Sequence, residues 1–520
     1  MEISDPGIIR QNNRRILTNT LMLYVRMAFV MGINFFTTRE LLLALGERDY
    51  GLVNVIGGVV SLFSFFASSM TTSITRFFNY EIGRGNFRAL KNTFNLVQVM
   101  YVSIVLALFI LSETVGVWVL ENMLDIPAGM EKSAFEFFQY TVATFLIGVF
   151  LIPYEALIIS RENMKVYSVI SVLDAVLKLS IVYLLYLDFF DRISFYGVLL
   201  AAVMFVKLSL YCAYDISKYK EARPAFFWDW KMFKEIFLFG AWNIWGGIAW
   251  LFSNTLVSIL LNNFFGAAVN AARAIAVQVS GGVSSFTTNF LLATNPQIVK
   301  YWAEGNLEQC RKLTLNASRL GFFLVLIFAV PLLVETEFIL KIWLKEVPEY
   351  GVVFTRLVII QLLIDVFSFP LMTIMQASGR IAVYQITVGL LLCCNFPLAY
   401  ICFKNGYPPE SAMAVGIFLG AISLLARLGI AKVVVGVSFS RYIVSVILPS
   451  FGAAMFACGV AAISKYFISG GWLESVCVCF LSALGAGVSI FLFGLSHAQK
   501  KKLLFISLYR LMGKLSLIHI

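Results

Sequence analysis

The chain is 520 residues long, 60% hydrophobic and only 13% charged, with a formal net charge of +11 and a mean hydropathy of +0.85. Soluble domains run at roughly 45–50% apolar and about 25% charged, so this composition excludes a string of soluble domains joined by polar linkers. Apolar stretches of about 20 residues recur, each long enough to cross a ~30 Å hydrocarbon core, which predicts an all-α polytopic membrane protein.

The polar start, Met1 to Asn13, has neither an apolar region nor a small-residue cleavage site, so the first span is expected to target the chain itself. About fourteen transmembrane helices are predicted, over residues 16–36, 50–75, 93–112, 136–159, 166–187, 194–214, 237–261, 267–295, 315–334, 352–376, 382–402, 411–431, 442–463 and 473–495. Sliding the chain on itself by 220 residues sets Gly46 on Gly266, Asn34 on Asn254, Gly85-Asn86 on Gly305-Asn306, and Lys91 on Arg311. That shift moves the chain by six spans, an even number, so both copies face the same side. The pattern is a parallel pseudo-twofold repeat with its axis along the membrane normal. It divides the chain into a six-helix lobe (1–214), a linker (215–236), a second six-helix lobe (237–434), two additional helices (435–496) and a basic tail (497–520).

Most Lys and Arg outside the spans fall on the side of the two termini, which is the positive-inside pattern and places both termini in the cytoplasm. The positive balance then reports orientation and attraction to anionic lipid heads, not a nucleic-acid partner. The linker, DISKYKEARPAFFWDWKMFKEI, mixes Lys and Arg with Phe226, Phe227, Trp228, Trp230 and Phe233. It reads either as a segment lying in the membrane interface or as a plain connecting loop. Residues 500–520 read as a second interfacial helix or an irregular tail. No two of the eight cysteines form a CxxC, and the only histidines, His497 and His519, lie in the tail. Neither a zinc site, a disulfide framework nor histidine catalysis within the membrane is expected. No nucleotide-binding glycine motif or acidic metal cluster suggests a cofactor.

Charges inside spans are costly, about 2.5–3.5 kcal/mol each near the centre, so each calls for a reason. They are Arg26, Asp174, Lys178, Lys207, Arg273, Arg356 and Asp365, five bases against two acids. Asp174 and Lys178 are one helical turn apart and share a face; a structural ion pair explains them as well as a coupling role does. Arg356 is near enough to a span end to snorkel. The remaining basic excess predicts a hydrated cavity that receives anions, with Arg26, Arg273, Lys178 and Lys207 as substrate contacts and Asp174 and Asp365 as coupling candidates. Arginine suits phosphate because its planar fork bonds two oxygens at once. Spans 2 and 8 are rich in Gly, Ser, Thr and Asn, from Asn54 to Thr72 and from Gln278 to Asn289. Such residues serve close helix packing in lipid or line a polar cleft.

RELLLALGERDYGLVNVIGGVVSLFSFF (39–66) and TRFFNYEIGRGN (75–86) resemble the N-terminal region of Wzx-type polysaccharide flippases. These form the polysaccharide-transport branch of the multidrug/oligosaccharidyl-lipid/polysaccharide exporter superfamily. The resemblance implies two six-helix lobes around a cavity that opens alternately to each side. It also implies an inner-membrane protein that moves undecaprenyl-pyrophosphate-linked oligosaccharide, such as an O-antigen unit of lipopolysaccharide, outward, beside other polysaccharide-assembly proteins. Relatives that flip the peptidoglycan precursor use cavity arginines in the first and eighth spans, which Arg26 and Arg273 occupy here. They also carry one in the second span, where this chain has none before Arg76 at its end. Two other functions compete: cation-coupled drug export on the same fold, which calls for an acidic and aromatic site, and a membrane polymerase or ligase. The enzyme needs a sizeable outer catalytic loop, and the longest outer loop here, 113–135, is short, so a non-enzyme is expected.

Overall fold

The computed structural model describes residues 6–122, 126, 129–187, 191–344, 347–467 and 471–494. Among these the regular structure is helical throughout, with no strand. The basic tail, including both histidines, lies outside the described residues, as do the side chains of Asn54, Gly58, Ser61, Ser64, Ser68 and Ser69 in span 2.

Pro6–Gly83 is one helical run broken at Gly46, where φ is 78° and ψ 167°. The part before the break is α1 and residues 47–83 are α2. There follow α3 (Phe87–Asn122), α4 (Glu131–Ser160), α5 (Met164–Leu184), α6 (Arg192–Lys218) and α7 (Trp230–Phe265). Next come α8 (Ala267–Ala303), α9 (Leu307–Val334), α10 (Gly351–Ser378), α11 (Ile381–Lys404), α12 (Ser411–Val435), α13 (Phe439–Phe467) and α14 (Trp472–Phe493). All fourteen predicted spans therefore fall on helices. Among the described residues twelve are long and apolar enough to cross a membrane. The two others are α8, whose glycines, hydroxyls and amides dilute its hydropathy, and α2, much of which lies outside the residues whose side chains are described. Several predicted boundaries move outward, α1 running to the break at Gly46 and α8 to Ala303. α3 continues through a π turn at Ser112–Gly116 to Asn122, well past residue 112. Glu113 is accommodated there because it accepts a hydrogen bond from Gln139 of α4 at 3.1 Å.

The internal repeat is written into the backbone. Gly46 and Gly266, 220 residues apart, both break a helix at positive φ, 78° and 88°, which a side chain would strain. Gly85 and Gly305 adopt φ of 67° and 76°, and the asparagine after each caps the next helix. Asn86 Oδ1 accepts from Ala89 N at 3.0 Å, and Asn306 Oδ1 from Gln309 N at 3.2 Å. A further correspondence lies outside the 220-residue shift. Pro153 in α4 precedes Glu162 by the same nine residues that separate Pro370 in α10 from Gly379. Glu162 and Gly379 both hold positive φ, 58° and 77°.

By contacts the chain divides into two units, residues 1–248 with 292–310, and residues 249–291 with 311–520. α7 and α8 each begin in one and end in the other. The core of the first unit includes Phe78, Phe94, Tyr101, Tyr154 and Tyr211, with Phe94 and Tyr154 meeting edge-on at 5.5 Å. In the second, Phe322 stacks on Phe367 at 4.7 Å and Tyr442 donates to the Phe367 carbonyl at 2.7 Å. The extra pair, α13 and α14, packs through small residues, as lipid-embedded helices do. Ala453, Ala457 and Ala461 are buried on one helix, and Ser482, Gly485 and Ser489 on the other. A Cβ on Gly485 would stand 2.8 Å from Val460 Cγ1. The buried Glu335, between α9 and the short helix Thr336–Leu344, anchors that pair. It bonds Lys465 at 2.9 Å and accepts from Ser475 at 3.0 Å.

Candidate functional site

In the first unit, α5 presents Tyr167, Ser171, Asp174 and Lys178 at the i, i+4, i+7, i+11 spacing of one helix face. Lys178 Nζ bonds Asp174 Oδ2 at 3.0 Å, as the sequence spacing predicts. Lys207, on α6, approaches the same oxygen at 3.9 Å. Asp174 Oδ1 is buried with no hydrogen-bond partner among the described residues. Arg26, on α1, lays its guanidinium over the Tyr167 ring, 4.7 Å from the centroid, and its Nε is buried without a partner. Four of the six residues selected from sequence, Arg26, Asp174, Lys178 and Lys207, thus sit in one unit around one helix face.

A further member of this cluster is absent from the sequence reading. Glu155 on α4 lies within electrostatic reach of Lys207, Arg26 and Asp174, and Tyr211 of α6 within reach of Glu155, Tyr167 and Arg26. The count of two deep acids is therefore corrected to three. Glu155 stands within the predicted span 136–159 and its charge alone would have exposed it. The cluster brings together Arg26, Lys178 and Lys207 against Glu155 and Asp174. Removing charges from water carries a large penalty that only close pairing offsets. One ammonium here has only a shared carboxylate, which leaves positive potential available to an arriving anion.

The second unit holds Arg273 and Asp365 separately. Arg273, on α8, is 8% exposed. Its guanidinium donates to Ser258 Oγ and, at 3.3 Å, to Asn254 Oδ1, both on α7, while Nε is buried without a partner. Among the described residues only neutral groups bond this cation. Asp365, on α10, faces Arg427 of α12. Arg427 is 8% exposed and donates to Ser368 Oγ at 3.0 Å. It lies inside the predicted span 411–431, as the half-buried Arg319 lies inside 315–334, and both join the deep bases, a second correction that raises the basic excess. Arg356 donates to Thr336 Oγ1 at 3.0 Å and is exposed, as a snorkelling residue would be. Arg76, in α2, stacks over Phe77, Tyr80 and Phe239 at 4.6, 5.5 and 5.0 Å.

A third charged group is built on backbone strain. Glu162, in the turn between α4 and α5, is the only non-glycine with positive φ among the described residues. Its buried carboxylate bonds Arg15 of α1 at 2.8 Å, the two oxygens accept from Gln297 at 2.7 Å, and Lys300 pairs with it as well. Its carbonyl accepts from Asn19 at 3.1 Å. Sequence reading missed this knot because its members are far apart in the chain. Among the described residues no three His, Cys, Asp or Glu side chains gather to hold a metal ion.

Residues 246–401, about 30% of the chain, match the MatE family. No curated protein matches the chain in sequence. Among solved structures, an outward-facing multidrug resistance MATE family transporter of the MOP superfamily is similar, with a TM-score of 0.71 at 13% identity. That alignment covers 82% of this chain and 96% of that one. The MATE transporter ClbM in complex with Rb+ is similar with a TM-score of 0.67 at 15% identity, covering 79% of this chain and 94% of its own. A mutant of the Vibrio cholerae MATE transporter VcmN gives 0.66 at 14%, covering 80% and 95%. At such identities the likeness establishes the fold. This is a multi-pass membrane protein with the fold of MATE transporters.

Proposed function

We propose that the chain is a transporter, not an enzyme, that flips undecaprenyl-pyrophosphate-linked oligosaccharide from the cytoplasmic to the periplasmic leaflet of the bacterial inner membrane. Both termini are cytoplasmic in this reading, and the cycle is one of alternating access through cationic surfaces on each unit. The observation that carries it is Arg273, a buried guanidinium held by Ser258 and Asn254 with no carboxylate bonded to it among the described residues. A cation kept without a counter-ion is stabilised when an anionic group arrives, and the guanidinium fork matches phosphate. Arg26, Lys178 and Lys207 supply a second basic surface, where a diphosphate would replace Asp174 as the partner of one lysine.

The competing reading is cation-coupled drug export on the same fold. An organic cation needs an acid free to receive it. Here Asp174 is shared by Lys178 and Lys207, Glu155 faces Lys207 and Arg26, and Asp365 faces Arg427. The deep acids are already engaged, which favours an anionic substrate. A strain lacking the protein tests the choice. Lipid-linked oligosaccharide trapped on the cytoplasmic leaflet is expected; normal glycan export with new sensitivity to cationic drugs would overturn the reading.

A further inference from the structure

The linker is pinned more tightly than either reading of its sequence supposed. After a short 3-10 turn at Lys220–Ala222 the chain runs without regular secondary structure to Trp230, where α7 begins. Glu221 is tied to Arg161, Ala225 N donates to Asn95 Oδ1 at 2.8 Å, and Ala222 and Ile236 are buried in the core of the first unit. Ser73 donates to the Ile236 carbonyl at 3.2 Å. Asp229 caps α7 by accepting from Met232 N at 2.9 Å.

What this fixed segment shows outward is a ladder of rings. Trp230 stacks on Phe233 at 5.1 Å and Phe233 on Phe237 at 5.7 Å, while Trp228 packs on Phe233 at 5.0 Å. Trp230 is 65% exposed and Phe226 86%. Trp230, Phe233 and Phe237 repeat at i, i+3, i+7, a single helix stripe. Lys231 and Lys234 form the adjoining stripe, one residue on. Lys218, Lys220, Arg223, Lys231 and Lys234 are all exposed, and none makes an ion pair among the described residues. Of the nearby acids, Glu221 is engaged by Arg161, Asp229 caps α7, Glu235 faces Arg76, and Asp215 is fully buried, away from these exposed bases.

We propose that residues 218–238 form a preorganised binding ledge for anionic phospholipid headgroups. The ring ladder seats at the boundary between acyl chains and headgroups, where tryptophan is favoured, and the unpaired bases take the headgroup phosphates. A zwitterionic lipid offers the same apolar boundary but no net charge, so the ledge discriminates by headgroup charge. This inference does not depend on which substrate is transported.

The purified protein is titrated in turn with phosphatidylglycerol, phosphatidylcholine and inorganic phosphate, reading thermal stability, and with brominated lipids, reading tryptophan quenching. Phosphatidylglycerol is expected to stabilise and quench at lower concentration than phosphatidylcholine, and inorganic phosphate to do neither. The Lys231→Gln/Lys234→Gln variant should need roughly twenty-fivefold more phosphatidylglycerol, about fivefold for each lysine, with its lipid-free transition unchanged. Trp228→Phe/Trp230→Phe should lose most of the quenching. Lys218→Gln/Lys220→Gln provides an independent pair if the first variant folds poorly. Equal response to the two lipids, an undiminished preference in both lysine pairs, or replacement by inorganic phosphate would overturn the proposal.

Discussion

Lys207 of α6 stands 3.9 Å from the Asp174 carboxylate that Lys178 already bonds from within α5. One acid oxygen therefore joins two helices and serves two bases. An arriving diphosphate that captures either lysine changes the contacts between α5 and α6, which a ligand-driven shift between states requires. Exchanging the pair, Asp174→Lys with Lys178→Asp, keeps the intrahelical bond but moves the carboxylate a turn away from Lys207. The swap is expected to reach the membrane in normal amount and to fail in glycan export. A fully active swap would reduce Asp174 to a helix pin and remove its coupling role.

Arg26 gives a sharper chemical test, because its ring contact and its anion role separate. Arg26→Ala should abolish glycan export while expression and insertion stay normal. Arg26→Lys should restore only part of it, since an ammonium can keep the stacking position over Tyr167 but lacks the bidentate fork. Export by Arg26→Ala at the parental level would strike it from the site.

Glu162 should matter for stability in a way its local sequence hides. Its positive φ costs of order 1 kcal/mol or more, and the corresponding position after Pro370 is Gly379, which has no such cost. The strain is maintained by the bonds to Arg15, Gln297 and Lys300. Glu162→Gly should therefore lower stability despite relieving the backbone, by about 3 kcal/mol, because the buried Lys300 is left uncompensated while the exposed Arg15 is taken up by water. Thermal unfolding of the purified variant checks this, and a transition at or above the parental one would show that the knot is dispensable.

Topology follows from the repeat and the distribution of bases. Reporter fusions after Gly85, Gly305 and Lys502 should all report cytoplasm. A periplasmic signal at any of them breaks either the span count or the parallel repeat.

Periodicity and glycine made most of the architecture legible. Gly46 and Gly266, and Gly85 and Gly305, align in sequence and adopt matching positive φ, because a chain that must turn sharply between long helices has few residues able to do so. Charge within apolar runs pointed to Asp174 and Lys178, whose bond is set by one helical turn. What spacing along a single helix cannot report is the cross-helix partner. Lys207 on Asp174, Arg427 on Asp365 and the whole Glu162 knot depend on packing between segments 33 or more residues apart. Glu155 and Arg427 were overlooked for a simpler reason: each lies within the last turn or two of a predicted span, where charge reads as a boundary. The linker, readable as an interfacial segment or as a plain connecting loop, has no regular structure over residues 224–229 and is helical from Trp230, with Ala222 and Ile236 buried in the core, a burial that composition alone does not report.

Whether the deep bases receive a lipid diphosphate is measured most directly by transbilayer movement in proteoliposomes of purified protein, comparing a fluorescent undecaprenyl-pyrophosphate oligosaccharide with a fluorescent organic cation. The diphosphate lipid should cross and the cation should not, and Arg26→Ala and Arg273→Ala should each abolish the crossing in vesicles containing equal protein. Cation movement without lipid crossing, or lipid crossing undiminished in both arginine variants, would contradict that role of the deep bases.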